Sequence, residues 1–178
     1  MHYYEMTIAG CKRRLPICQV STNLDIAAFI MFNDVEVTEA AARQLLKKCP
    51  QHDIVISAEA KGIPLCYELA RQGCRKYVVA RKSVKLYMTD ILEVHCKSIT
   101  TAKEQTLYLS GDDAKALKGK RVLIADDVIS TGDSLLALET LVEKAGGNIV
   151  GKATVLAEGE AQKRDDIIFL EPLPVFPK

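Results

Sequence analysis

The sequence lacks the features of a membrane-spanning or disulfide-stabilised protein. None of its apolar runs approaches the roughly 20 residues that a transmembrane helix needs. Its six cysteines form neither a CxxC pair nor a metal-ligand spacing, and no secretory signal opens the chain. We therefore expect reduced thiols, a cytoplasmic location and no membrane partner.

A charge excess and a modular organisation are also missing. The 24 basic and 23 acidic residues leave a net charge of +1, so no global field would attract nucleic acid, and we expect no such partner. Repeats, low-complexity tracts and linkers rich in proline or glycine are absent. With 178 residues and 48% hydrophobic content, the chain suits a single domain over residues 1–178.

Short apolar runs alternate with stretches of helical spacing along most of the chain. The runs predict strands at 53–57, 76–80, 106–109, 121–125, 148–156 and 167–170. The spacing predicts helices from a Thr38 cap to Lys48, from Leu65 to Gly73, from Asp112 to Leu117 and from Leu135 to Lys144. This alternation predicts an α/β fold, with a mostly parallel twisted sheet that carries helices on both faces.

Two regions fall outside this alternation. Residues 1–37 predict a small N-terminal hood that contains a hairpin, with strands at 3–8 and 15–20 and a charged turn between them. The α/β core then covers residues 38–178. Within the core, residues 83–105 have little apolar periodicity and predict a long, flexible loop, which in a compact domain is usually functional or disordered.

One stretch, Lys120 to Leu136, contains the residues that point most clearly to a ligand-binding site. It predicts a buried strand that leads into a helix, and Asp126 and Asp127 follow that strand directly. A loop of small and hydroxylic residues comes next, at the start of the helix, where unpaired N–H groups and the helix dipole favour a phosphate. Two carboxylates beside a phosphate require sugar hydroxyls or Mg²⁺ between them. A phosphorylated ribose fits this pattern, and an ordinary turn that only caps the helix is the alternative.

This run resembles the 5-phosphoribosyl-1-pyrophosphate (PRPP) motif of the type I phosphoribosyltransferases. The resemblance implies that Asp126 and Asp127 are catalytic, and that they hold the ribose hydroxyls directly or through Mg²⁺ bound with PRPP. It also implies that the 5′-phosphate is bound by Ser130, Thr131, Gly132, Asp133 and Ser134. Asp133 departs from the family, which usually has glycine or another small residue there.

Two further loops are similar to the pyrophosphate-binding parts of the same family. The run Glu59 to Pro64 is most similar to the adenine and xanthine branches. The resemblance assigns pyrophosphate binding to Ala60, Lys61, Gly62, Arg81, Lys82 and Lys85, with Mg²⁺ as cofactor. Taken alone, Lys61 and Gly62 are equally compatible with a helix start and a solvated cation, and Arg81, Lys82 and Lys85 by themselves favour an ordinary solvated face. No catalytic glutamate of the flexible loop can be assigned.

The residues that would contact the base are less defined. Phe32 and Asn33 lie in the segment that corresponds to the family's hood over the base, and hood packing is an equal alternative for them. Glu158 follows a late strand, near where relatives contact the base. The lysine with which 6-oxopurine enzymes hold O6 has no counterpart at 157–160, which favours adenine over xanthine, guanine or hypoxanthine.

The resemblance implies transfer of a phosphoribosyl group from PRPP to a purine base, giving a nucleoside monophosphate and pyrophosphate. Relatives are commonly dimers, so we also expect a homodimer. A PRPP-sensing regulator with the same fold and no turnover is the alternative.

Overall fold

The computed structural model describes residues 2–97 and 104–178. The strands are β1 Tyr3–Ile8, β2 Cys11–Ser21, β3 Leu24–Ala27, β4 Ile54–Ala58, β5 Tyr77–Ala80, β6 Leu92–Lys97, β7 Glu104–Leu109, β8 Arg121–Ile129, β9 Asn148–Glu158, β10 Ile168–Leu173 and β11 Val175–Pro177. The helices are α1 Val35–Lys48, α2 Ile63–Gln72, α3 Gly111–Leu117, α4 Asp133–Lys144 and a 3-10 helix at Gly159–Lys163. Among these described helices, none is long and apolar enough to cross a membrane.

The central sheet has the strand order β10-β9-β8-β4-β5, and all of its strands are parallel. Side chains alternate along β4, so that Val55 packs with Leu45 and Leu69 of α1 and α2 on one face. Ile54 and Ile56 pack on the other face, with residues of α4 and β7. Every residue of β4 is buried, and all of them except Ser57 are apolar. The predicted parallel sheet with helices on both faces is confirmed.

A second, antiparallel sheet has the order β1-β2-β3-β11, so the last strand of the chain joins the first three. The predicted hairpin is present, but its turn is shorter than expected. Only Ala9 and Gly10 form it, both with positive φ, whereas Lys12 and Arg14 lie in β2. Charged residues fit this strand because alternate positions face outward.

Helix α1 begins earlier than predicted. Its N-cap is Asp34 and not Thr38, since an Asp34 carboxylate oxygen accepts from the Val37 N–H at 3.2 Å. The Thr38 hydroxyl instead donates to the Asp34 carbonyl at 2.7 Å. Arg13 of β2 holds the same carboxylate at 2.7 Å, a tertiary contact that local sequence does not reveal.

The region 83–105 contains more regular structure than the sequence predicts. Strands β6 and β7 pair antiparallel, from Leu92 with Leu109 to Lys97 with Glu104. Val94 is buried against the core, and Leu92 and Cys96 pack beside it, so alternate residues do form an apolar face. Residues 98–103 of the predicted loop lie outside the described residues, and its flexibility stays a prediction.

Candidate active site

Strand β8 ends later than predicted and carries the acid pair within it. Val128 and Ile129 continue the ladder with Leu156 and Ala157 of the long strand β9. Asp126 and Asp127 therefore lie on a strand and not in a loop. Parallel pairing with a neighbouring strand fixes their main chain, which prepares them better for a ligand than a mobile loop would.

The two carboxylates differ in burial: Asp126 is partly buried and its Oδ1 accepts from the Asp127 N–H at 2.9 Å, whereas Asp127 is buried. Asp127 is 3% exposed, and within the described residues its Oδ2 has no hydrogen-bond donor. Its ion-pair partner is the Lys61 ammonium, 3.4 Å from Oδ2. Burial and the Asp127 carboxylate raise the pKa of Asp126, while Lys61 opposes that rise. Hydroxyl donors or a cation from a ligand would stabilise this pair.

Gly62 brings the loop after β4 against the acid pair. A Cβ at Gly62 would lie 2.9 Å from Asp126 Oδ1 and still closer to Ser57 Oγ, so only glycine fits without rearrangement. The residue precedes α2, which begins at Ile63. The start of α2 and the Lys61 side chain thus lie beside the acid pair, and the Lys61 ammonium is a cation that can hold a diphosphate.

The loop between β8 and α4 has the geometry of an anion site. Gly132 caps α4 with φ of 84°, a left-handed conformation that favours glycine. Within the described residues, the N–H groups of Thr131 and Gly132 have no acceptor. The Thr131 hydroxyl donates to the Asp133 carboxylate at 3.0 Å. Residues 126 and 128–135, which include Ser130 and Ser134, line a small cavity of about 50 Å³ here.

Glu59 connects the loop after β4 with the basic pair after β5. Its carboxylate accepts from Arg81 Nε at 2.8 Å and from the Lys82 N–H at 2.6 Å. Burial tends to raise the pKa of Glu59, but these hydrogen bonds outweigh burial and lower it. Lys85 Nζ donates to Ser83 Oγ. Sequence reasoning missed the role of Glu59, although an acid directly after a strand was a visible signal.

A larger cavity of about 270 Å³ opens beside the acid pair. It is lined by residues 26–30, Lys61, Val128, Ser130, Glu158 and Leu173. Burial raises the pKa of Glu158, and Lys61 opposes the rise. Phe32 and Asn33 lie elsewhere, in a separate groove with Tyr67 and Glu68, and Phe32 is 50% exposed. The structure thus brings Glu158, but not Phe32 or Asn33, to the predicted phosphate and ribose residues.

Comparison with known proteins places this geometry in a family. Residues 31–174 match the phosphoribosyl transferase domain. The chain belongs to this family. It is 32% identical over 134 residues to a hypoxanthine/guanine phosphoribosyltransferase of Methanococcus voltae, covering 75% of this chain and 68% of that protein. It is 34% identical over 129 residues to an adenine phosphoribosyltransferase of Rubrobacter xylanophilus, covering 66% and 60%.

Solved structures of the family share the fold of this phosphoribosyltransferase domain. An adenine phosphoribosyltransferase of Thermoanaerobacter pseudethanolicus superposes with a TM-score of 0.71 at 20% identity, covering 88% of this chain and 93% of that chain. The resemblance to type I phosphoribosyltransferases and the predicted fold are therefore confirmed. Relatives named for adenine and for hypoxanthine/guanine both match, so family membership leaves the base undecided.

The phosphoribosyltransferase domain offers few ligands of its own for a metal ion. Within residues 2–97 and 104–178, His, Cys, Asp and Glu side chains form no group of three that could hold one. Asp127 Oδ2, which has no hydrogen-bond donor in the described part of the chain, and the adjacent Asp126 nevertheless suit a hard cation. Mg²⁺ commonly takes one or two carboxylates and otherwise binds water and substrate phosphates. The residues present fit Mg²⁺ that arrives with a diphosphate.

Proposed function

We propose that the protein transfers the phosphoribosyl group of PRPP to a purine base in the cytoplasm, releasing pyrophosphate and a nucleoside monophosphate. One observation carries the proposal: the buried Asp127 Oδ2 beside Asp126 has no hydrogen-bond donor among the described residues, and the loop that follows carries the Thr131 and Gly132 N–H groups, which have no acceptor there. The names of the relatives, which are purine phosphoribosyltransferases, support the same chemistry.

The loop from Ser130 to Ser134 would bind the 5′-phosphate, through its main-chain N–H groups and the N-terminus of α4. Asp126 and Asp127 would then accept hydrogen bonds from the two ribose hydroxyls and so fix the sugar ring. This fixed position accounts for much of the rate in our proposal, because the reacting atoms no longer have to find each other.

The leaving pyrophosphate would lie between the loop after β4 and the basic residues after β5. Ala60 and Gly62 supply main chain at the start of α2, and Lys61, Arg81, Lys82 and Lys85 supply positive charge. Charge that moves onto the pyrophosphate as it departs is stabilised by these fixed groups. Bound Mg²⁺, held by Asp126, Asp127 and the diphosphate, would supply further charge neutralisation.

We place the base in the 270 Å³ cavity, against Glu158, Phe29 and Ile30. Adenine is the preferred base, since an ionised Glu158 accepts a hydrogen bond from its exocyclic amino group and repels the O6 of a 6-oxopurine. The absence of lysine from residues 157–160 supports the same choice. Base contacts by Phe32 and Asn33 would require the separate groove that they line to open into this cavity.

We also propose a homodimer. Phe32, Val35 and Tyr67 are exposed apolar residues, and each lines one groove between α1 and α2. Burial of such a surface against a second copy would remove apolar area from water. Sedimentation of the purified protein tests this assembly, and a monomer at micromolar concentration would contradict it.

The activity is tested by incubating the protein with PRPP and Mg²⁺, adding adenine, xanthine, guanine, hypoxanthine or no base, and following pyrophosphate. We expect release that depends on a base and is fastest with adenine. Tight PRPP binding without release for any base would refute the enzyme and support the PRPP-sensing regulator. Faster release with a 6-oxopurine would refute only the choice of adenine.

A further inference from the structure

The hairpin formed by β6 and β7 packs along α4, the helix that follows the loop from Ser130 to Ser134. Val94 and Leu107 of the hairpin are buried in the same apolar cluster as Leu138 of α4. At the far end of the helix, Lys144 Nζ donates to the Glu93 carbonyl at 2.8 Å. The hairpin is therefore held against α4 at both apolar and polar contacts.

Gln105 is a polar residue on the face of β7 that packs on the core. Side chains alternate along a strand, so Gln105 lies on the same face as Leu107 and Leu109, which are both buried. Its Oε1 accepts a hydrogen bond from the Ser134 hydroxyl at 3.3 Å. Ser134 belongs to the first turn of α4 and lines the 50 Å³ cavity. The Gln105 amide thus connects the hairpin to the candidate phosphate site.

The direction of this hydrogen bond determines what Ser134 can offer to a ligand. A serine hydroxyl has one proton to donate, and in this arrangement Gln105 takes it. A half-turn of the terminal amide exchanges Oε1 and Nε2, so that Nε2 donates to the Ser134 oxygen and leaves the hydroxyl proton for a ligand. Within residues 2–97 and 104–178, Nε2 has no hydrogen-bond acceptor, so the turn breaks no other bond of this side chain.

We propose that Gln105 is a positioning residue for the 5′-phosphate and acts through Ser134. In the complex, Gln105 Nε2 donates to Ser134 Oγ, and the Ser134 hydroxyl donates to a phosphate oxygen. Hydrogen bonds in such a chain polarise one another, which strengthens the bond to the anion. The inference rests on the proposed function in that the ligand is a phosphorylated ribose, but it concerns binding and not turnover.

The test compares Gln105→Met and Gln105→Glu with the same two substitutions at Gln19, an exposed glutamine of β2. Calorimetry measures the dissociation constant of ribose 5-phosphate, and kinetics measure kcat and both KM values. We expect Gln105→Met to weaken ribose 5-phosphate binding and raise the KM for PRPP about fivefold, which corresponds to the loss of about one hydrogen bond. The KM for the base and kcat should stay within about twofold.

Gln105→Glu should weaken ribose 5-phosphate binding more than Gln105→Met does. Its carboxylate only accepts, so it keeps the Ser134 proton, and it adds a negative charge beside the phosphate. We expect a loss of about 20-fold or more, which salt reduces because the added repulsion is screened. Binding by Gln105→Glu as tight as by Gln19→Glu would contradict the proposal.

A double-mutant cycle with Ser134→Ala tests whether Gln105 acts through the hydroxyl. If it does, Gln105→Met costs little further ribose 5-phosphate affinity once the hydroxyl is absent. Equal losses in both backgrounds would overturn the relay. A change in Tm without a change in ribose 5-phosphate affinity would overturn the positioning role.

Failure of the proposed function gives a different result. The wild type would then bind ribose 5-phosphate, and Gln105→Met would weaken that binding, but no base would cause release of pyrophosphate. A wild type that binds no ribose 5-phosphate at all would overturn both the positioning role and the phosphate site through which it acts.

Discussion

The two ends of the cleft are built in different ways. The proposed phosphate and ribose end comes mainly from one continuous segment, the end of β8 and the start of α4, with Gly62 of the neighbouring loop close by. The proposed base end is assembled from residues 26–30, Glu158 and Leu173, which are far apart in sequence. One end is therefore specified locally, and the other only by the tertiary fold.

Relatives named for different bases are about equally similar to this chain. Proteins named for adenine and for hypoxanthine/guanine match this chain at 34% and 32% identity, so overall similarity does not separate them. Recognition of PRPP is expected to be common to such proteins, whereas the choice of base is expected to depend on a few residues. Substitutions at the two ends should therefore affect different kinetic constants.

Loss of the acid pair should have the largest effect. Asp126→Asn combined with Asp127→Asn is expected to lower kcat/KM about 10³-fold or more with every base, because both negative charges proposed to hold the ribose hydroxyls and Mg²⁺ are lost while the side-chain volume stays the same. Asp165→Asn, at an exposed position outside the cleft, is the control. A double variant that keeps the wild-type kcat/KM would contradict the role that we propose for the two carboxylates.

Gly62→Ala should be the next most damaging change. The new Cβ collides with Ser57 Oγ and Asp126 Oδ1, so the loop or the carboxylate must shift, and such displacement costs about 10²-fold in rate. Combining it with Ser57→Ala removes one of the two collisions and should restore part of the activity. A single Gly62→Ala variant with normal kcat/KM for PRPP would show that the rate does not depend on the close approach of Gly62 to Asp126.

Glu158→Gln should affect the base end alone. We expect the KM for adenine to rise about tenfold and the KM for PRPP to stay the same, with exposed Glu160→Gln as the control. Burial raises the pKa of Glu158, so acidification through that pKa protonates the carboxyl, removes the charged acceptor and raises the wild-type KM. The variant should lack this pH dependence. An equal rise in the KM for PRPP would contradict the division between the two ends.

Phe32→Ala should have the smallest effect. Its ring lines the groove with Tyr67 and not the base cavity, so the KM for the base should change less than about threefold. Steady-state kinetics with the preferred base measure this. A tenfold rise in the KM for the base would show that the two cavities join when the base binds and that Phe32 contacts the base.

The sequence predicts the order of strand, small loop and helix around the acid pair because these signals are local. The structure has this order, except that Asp126 and Asp127 lie within β8 and not after it. The end of β8 was missed because Val128 and Ile129 continue the strand only by pairing with β9, which is remote in sequence. Leu173 and residues 26–30, which form the end of β3 and the segment after it, carry no chemical signal in the sequence, and tertiary packing alone brings them to the cavity.

The most direct measurement is a crystal structure of the protein with bound ribose 5-phosphate. Our account predicts phosphate oxygens within about 3 Å of the Thr131 and Gly132 nitrogens, with the ribose hydroxyls at Asp126 and Asp127. A phosphate bound elsewhere, or a loop whose N–H groups are satisfied by the protein's own side chains in the complex, would contradict it.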